Sequence, residues 1–520
     1  MRLVTIIFLL IPFIMFADVI NIPADYMTIQ EGINNAAQGD MVLISPGTYY
    51  ENIDLSNKIG ITLCSLEATT GDSTYINTTI IDGRFEEEST ILCFENVIDC
   101  TIRGLSITGG RGHIFYDIHD INSFIVYGGG IYLYDQIDLT LINLEIYGNR
   151  ASQGGGIFFG QNSVCNLSKV NIYNNIGRFV GGGICFASTS TENATIVFDQ
   201  QNRCSIYNNN SPQGMDIGWY FNRFHTQEIY LDMFTWYEPS KYYVNVFDYD
   251  YNDLPNPFPV FDFQRTYITP VMNDLYVSMN GDDTNTGLTS QEPLRTTWKA
   301  FQKIFATESN PRTVHLMEGD FIEEVNGFNT SIVLKENTTL QGASPEQTHI
   351  YAEDFVNSPL STAISFASHQ SNMTIRDLSL TTENAQAIGG YTPYNAEIDN
   401  VVIEDCTNSD QNALINVWNS DRDIIDGDIS VKNTIIRNNV TNKTIAFYIS
   451  TYDIIVDNVL IQNNTALQHE TEMSTYGVYF IKALNETVIK NSTFINNEYH
   501  ANEDVALFNH YYGDPSPKIL

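Results

Sequence analysis

Three segments of the C-terminal half, ISVKNTIIRNN (429–439), IIVDNVLIQNN (454–464) and TVIKNSTFINN (487–497), follow one plan. Each holds a short alternating strand, a central asparagine (Asn433, Asn458, Asn491), a second strand and a closing pair of asparagines. The central Asn advances by 25 and then by 33 residues, and IDNVVI (398–403) supplies a copy whose Asn400 lies 33 residues before Asn433. Period-two alternation recurring at this interval predicts a parallel β-solenoid, one coil per repeat, with surplus residues looped out. Asparagine suits the corner because it tolerates left-handed backbone, and its amide can bond the same position one coil away. Several of these residues, including Asn439, Asn463 and Asn491, also begin N-x-S/T, so glycosylation is the competing reading.

The N-terminal half repeats the plan in LINLEIYGN (141–149), LSKVNIYNN (167–175) and CSIYNN (204–209), where Tyr147, Tyr173 and Tyr207 are spaced by 26 and 34 residues. Three GGGI runs, beginning at Gly128, Gly154 and Gly181, keep a similar interval. No Lys-Ser/Thr and no helix follows them, so they are tight corners and not phosphate cradles. A larger duplication lies above the coils. Thr28-Ile29-Gln30-Glu31 reads as a capping box opening a helix through Ile33, Ala36 and Ala37, followed by a strand and the turn at Gly47. A fixed offset of 272 leads to a second helix carrying Phe301 and Phe305, a strand at 314–316 and Gly319. The expected fold is all-β: two tandem right-handed parallel β-helix solenoids, each with an N-terminal capping helix. The expected division is 1–17 signal peptide, 18–217 first solenoid, 218–272 aromatic-rich connecting segment and 273–520 second solenoid.

The segments LYVSMNGDDTNTG (275–287), TTW (296–298) and GDF (319–321), with TIQ (28–30) and PGTY (46–49), resemble the N-terminal cap of secreted parallel β-helix proteins of the pectate-lyase-like superfamily. The GGGI runs and Asn-Asn strand ends resemble repeats of bacterial polymorphic outer-membrane and adhesin-like proteins. The first resemblance implies a polysaccharide-cleaving lyase or hydrolase; the second implies surface display. Lyases of the fold use several carboxylates for Ca²⁺ with an Arg or Lys base, and its glycosidases use Asp residues with a Gly-His-Gly turn. Neither set maps here, since Gly112-His113-Ile114 lacks the second glycine.

A formal charge of −37, from 25 Lys+Arg against 62 Asp+Glu, excludes a binder of phosphate backbones. The apolar run from Leu3 to Phe16 has the length of a signal-peptide core and is too short to span a bilayer, so the expected location is secreted or cell-surface. No later stretch predicts a transmembrane helix. Seven cysteines without C-x-x-C spacing sit in strand patterns and read as small buried hydrophobes, although export permits a bridge or two.

The candidate catalytic residues lie in an expected loop inserted between equivalent rung positions Thr108 and Tyr147: His113, Asp117, His119 and Asp120, with Arg111 beside them. Titratable groups carried by a rigid scaffold are where acid–base chemistry would be placed, while a solvated loop explains the same residues. Asp282, Asp283 and Asn285 offer hard oxygen ligands suited to Ca²⁺, but Asp, Asn and Gly are also what a tight turn requires. No other cofactor is expected. On residues alone, the rungs favour recognition or adhesion, with a polysaccharide or cell-surface glycan as partner; the alternative is a lyase or glycoside hydrolase acting on such a polymer.

Overall fold

The computed structural model describes residues 17–519 except 87, 118–119, 188–194, 212, 221–227, 239–243, 248–258, 323, 326–327, 330, 354–361, 368–369, 392, 409–412, 419–427, 442–445, 468–478, 501–507 and 511–517. The expected signal segment, apart from Ala17, is outside these residues. Two long sheets dominate, one of 18 strands from Val19–Ile22 to Val260–Thr266 and one of 23 strands from Leu275–Val277 to Lys518–Ile519. Their strands pair in parallel. In the first, Ile91, Ile131, Ile157, Ile184 and Ile217 lie in one row of Cα partners, and all five are fully buried. In the second, Leu340, Ile375, Ile398, Val431, Val456 and Ile489 form a like row, and all six are buried. Each inward aliphatic side chain removed from water contributes on the order of 1.5–3 kcal/mol, so the rows are the main source of stability.

The corners are asparagine, as the repeats require. Asn400, Asn433, Asn458 and Asn491 have φ of 53°, 49°, 57° and 53°, and their flanking residues Asp399, Lys432, Asp457 and Lys490 are successive strand partners. A second column, Asn438, Asn463 and Asn496, is likewise left-handed. The last Asn of each repeat turns inward. Asn439 donates to Asn464 at 2.8 Å and Asn464 to Asn497 at 2.9 Å; in the first half Asn149 donates to Asn175 and Asn175 to Asn209, both at 3.1 Å.

The helix Ile29–Asn35 begins with the expected capping box: Glu31 N donates to Thr28 Oγ1 at 3.1 Å and Thr28 N to Glu31 Oε2 at 3.3 Å. Gly32 sits against Ile22 and Val42, where a Cβ would come within 2.8 Å of the Ile22 side chain. The second helix, Thr297–Lys303, is opened by Thr296 and buries Phe301; it stops before Phe305, which meets Trp236 at 6.2 Å between centroids. The described parts of 218–272 continue the first sheet, with Glu228–Phe234 paired to Cys204–Tyr207 and to Val260–Thr266. One hydrophobic cluster runs unbroken from Ile22 through Trp236 and Phe301 to Ile489.

All seven cysteines are buried and unbridged. Burial pushes the Cys64 and Cys204 thiols up to about 12 and Cys406 up to about 11. The folded protein is therefore expected to resist Ellman's reagent at pH 8 and to release seven equivalents once denatured. Fewer equivalents without reductant would reveal bridges.

Candidate functional site

A second, smaller hydrophobic cluster lies outside the solenoid core. Strand alternation in Ile91–Arg103 and Ile131–Tyr147 sends Ile91, Cys93, Ile131 and Leu133 inward and leaves Leu92, Phe94, Tyr132 and Tyr134 on the other face. Leu92, Tyr132, Phe158 and Cys185 are aligned across neighbouring strands. Over them lies a separate four-stranded sheet. It contains an antiparallel hairpin, His113–Asp117 with Asp120–Tyr127, in which Tyr127 faces His113 and Ile125 faces Phe115. The hairpin adds in parallel to Arg150–Gln153, and that strand to Ile176–Val180. The expected inserted loop is thus a hairpin. The physical reason is its apolar run FIVY (124–127), which sets Tyr127 on the outer aromatics and buries Val126 beside Gly112. Gly112 makes the entrance with φ 88°, where a Cβ would approach Val126 Cγ1 to 2.6 Å.

The hairpin covers only part of the aromatic face. Tyr127 closes on Phe158 with centroids 4.5 Å apart, and burial pushes the Tyr127 and Tyr132 phenols well above their ordinary range. At the rim, part-buried Tyr134 stacks with part-buried Phe94 at 5.5 Å and with Tyr132 at 6.0 Å, and Phe115, 41% exposed, stands 6.4 Å from Tyr134. The His113 ring lies 5.0 Å from Tyr132 and 5.8 Å from Phe94. Its Nδ1 is 2.9 Å from both carboxylate oxygens of Glu88, and both side chains keep some solvent access. Such a pair fixes the imidazole's orientation and leaves its other nitrogen for a hydroxyl group.

Of the four catalytic candidates, the structure brings His113 into this site. Asp117 and Asp120 are backbone partners at the far end of the hairpin, four residues along the strand from His113, or about 13 Å; their side chains and all of His119 lie outside the described residues. Glu88 was missed by sequence reasoning. Its place beside His113 comes from the stacking of coils: Thr90 and Ile91 donate to Gly129 and Gly130 of the next coil, and Arg111 N donates to Glu88 O at 2.9 Å.

The Ca²⁺ candidates are committed to a turn and a helix start. Asp282 Oδ1 accepts from Thr284 N and Oγ1, both at 2.8 Å; Asp283 accepts from Arg295 N, Thr296 N and Thr296 Oγ1 at 2.8–2.9 Å. Asn285 Nδ2 donates to Pro293 O at 2.8 Å. Among the described residues no group of three or more His, Cys, Asp or Glu side chains is placed to hold a metal ion, and no helix is long and apolar enough to cross a membrane.

A family model described as "Protein of unknown function (DUF1565)" matches residues 279–506. No curated protein matches the chain. Solved structures that resemble it include pectin methylesterase PemA from Erwinia chrysanthemi, 11% identical, covering 43% of this chain and 80% of its own, with a TM-score of 0.23. The A-module of mannuronan C-5 epimerase AlgE4 from Azotobacter vinelandii is 10% identical over 95% of this chain and 94% of its own, with a TM-score of 0.22. The PL6 family alginate lyase AlyGC is 10% identical over 97% and 100%, with a TM-score of 0.23. Likenesses of this size say nothing about residues or activity; the fold rests on the strand register above.

Proposed function

We propose that this is an exported protein, secreted or held at the cell surface, that binds a polysaccharide on the open aromatic rim of Phe94, Phe115 and Tyr134 beside the His113–Glu88 pair. Its architecture on this reading is two tandem right-handed solenoids, 18–217 extended by the strands of 218–272 and then 273–520, each started by its own capping helix, with residues 1–17 removed on export. The observation that carries the binding reading is the rim itself. Aromatic faces supply apolar contact to sugar C–H groups, and the adjoining imidazole and carboxylate supply hydrogen bonds to hydroxyls. Non-catalytic recognition or adhesion needs no more than this. Cleavage is the second reading, favoured by one feature: a histidine oriented by a carboxylate is the minimal part of a general acid–base device.

The test is to incubate the mature chain, with and without Ca²⁺, on a panel of plant and bacterial polysaccharides while recording binding, reducing ends and unsaturated products. Binding without products is expected, weakened roughly tenfold in Phe115→Ala or Tyr134→Ala, a loss of about 1.4 kcal/mol. Products that vanish in His113→Ala would establish cleavage instead; products lost only in His119→Ala or Asp120→Ala would move the chemistry to the hairpin's far end. Undiminished binding in both rim variants would remove the rim from the reading.

A further inference from the structure

We propose that the exposed Tyr50–Phe85 pair is a second sugar-binding subsite on the same ligand track, and that the surface between it and His113 selects an uncharged glycan chain over an anionic one. The proposal rests on the rim being a glycan site.

Phe85 is 70% exposed and Tyr50 54% exposed, yet their rings meet at 5.2 Å with a 59° tilt. A scattered surface hydrophobe needs no explanation, but two touching and largely uncovered rings form a patch suited to a ligand with apolar faces. The Arg84 guanidinium lies 5.6 Å from the Tyr50 ring centre, which holds that ring in place.

The segment that carries Phe85 also carries Glu88. It connects Thr79–Asp82 to Ile91–Arg103, and its base is fixed by polar bonds. Gly83 N donates to Thr108 O at 2.9 Å, and Asn52 Nδ2 donates to Gly83 O at 3.2 Å and Ser89 O at 3.0 Å. Two residues of chain separate Phe85 from Glu88, so their Cα atoms are at most about 11 Å apart. On this proposal an oligosaccharide of a few rings lying on Phe115 and His113 extends past Glu88 to Tyr50 and Phe85. Because Gly83 and Ser89 at its two ends are already fixed by hydrogen bonds, little conformational entropy is lost there when the chain lands.

Charge decides the ligand class. The connection bears Glu86 and Glu88, while Arg84 and the buried Asp82 offset each other, the guanidinium gripping that carboxylate through Nε at 2.8 Å and its terminal nitrogen. Glu51, next to Tyr50, accepts from the N–H groups of Ile29 and Gln30. A polyuronate would meet this acidic surface within a chain of formal charge −37, where repulsion opposes its approach. Uncharged sugar rings keep the aromatic contact without that cost.

The test uses the full mature chain with wild-type, Phe85→Ala, Tyr50→Ala and Phe115→Ala proteins on an array of neutral and anionic glycans of graded length. Affinities for hits would be measured by calorimetry, and folding checked by circular dichroism. The expected result is a preference for neutral chains, with Phe85→Ala and Tyr50→Ala weakening long oligosaccharides about fivefold while leaving the shortest binders unchanged, and Phe115→Ala weakening both. Equal affinity of wild type and the Phe85 and Tyr50 variants for long chains would overturn the subsite while leaving the rim. Preference for polygalacturonate or alginate oligomers would overturn the charge selection. A change in sedimentation with unaltered glycan affinity would assign the rings to self-association and overturn the subsite, whereas no glycan binding by wild type would remove the rim reading and the subsite together.

Discussion

Replacing Asn175 with leucine is expected to cost about 3–5 kcal/mol of stability and to lower the melting temperature of the first sheet by many degrees. Asn175 is fully buried. Its Nδ2 donates to Ile146 O at 2.9 Å and to Asn209 Oδ1 at 3.1 Å, its own N–H donates to Asn209 Oδ1 at 3.0 Å, and its Oδ1 accepts from Asn149 N and Nδ2 at 3.1 Å each. Leucine has nearly the right volume and keeps the backbone N–H bond to Asn209, but it answers none of the four bonds of the side-chain amide, and each buried polar atom left without a partner costs about 1–3 kcal/mol. Asn458→Ala is the control. Its amide bonds Asn433 at 2.8 Å on the exposed side of a corner, so only that bond and some left-handed backbone preference are lost, about 1 kcal/mol. Thermal melts followed by circular dichroism would separate the two, and equal losses would show that the inner column is not what holds the coils in register.

Asp216→Asn is expected to stabilise the protein at pH 7.5 by on the order of 2 kcal/mol and to flatten its stability between pH 5.5 and 7.5. Asp216 ends the first inner column: its Oδ1 accepts from Asn209 Nδ2 at 2.9 Å and Asn209 N at 3.2 Å, the contacts an asparagine would make. Complete burial pushes its carboxyl up to about 7 against the pull of Thr235, Asn209 and Lys335. Lys335, reaching the joint from the second half, is buried over the Trp236 ring at 4.9 Å, and burial brings its ammonium down to about 7 with Asp216 opposing. Between the ordinary aspartate value near 3.8 and about 7, the folded state holds a proton that the unfolded chain has lost, so this contribution grows as pH falls through that window. Between about 7 and the ordinary lysine value of 10.5, the folded state holds fewer protons than the unfolded chain, so the Lys335 contribution grows as pH rises. The pair is least favourable near neutrality. Wild type should therefore melt higher at pH 5.5 than at 7.5, Asp216→Asn should abolish that difference, and Lys335→Met should keep it. A fall in melting temperature for Asp216→Asn at pH 7.5 would show instead that the two groups stabilise each other as a charged pair.

The coils were legible because their cause is local: period-two alternation sets the inward row, and asparagine sets the left-handed corner. What the repeats did not distinguish is the two asparagine roles. The repeats predict an amide ladder through Asn433, Asn458 and Asn491, yet Asn433 and Asn491 donate to Asp399 and Asp457, and the continuous inner ladder is formed by the last Asn of each repeat. Both positions look alike in sequence; only the direction in which the strand leaves the corner decides which amide faces the core. The glycine runs were read as small corner residues, and the structure supplies the reason. A Cβ on Gly129 would stand 2.4 Å from Gly155 O, and one on Gly155 2.6 Å from Gly182 O. At the site, His113 was legible as an exposed titratable group on an insertion, whereas Glu88 was not, because the two meet only through the stacking of neighbouring coils.

The inner asparagine column also separates two kinds of inheritance. Successive rungs of the first half register Tyr147 to Tyr173 and Tyr173 to Tyr207, although the chain between them is 26 residues in one case and 34 in the other. The hairpin His113–Tyr127 is a larger excursion of the same sort: the chain leaves its coil after Thr108 and is back in register when Ile131 meets Ile91. Length added at such a point is invisible to the coils on either side. Mutation can therefore graft, trim or exchange an arm without touching the residues that keep the rod upright, and a lineage of such rods can change what it grips while its frame stays the same.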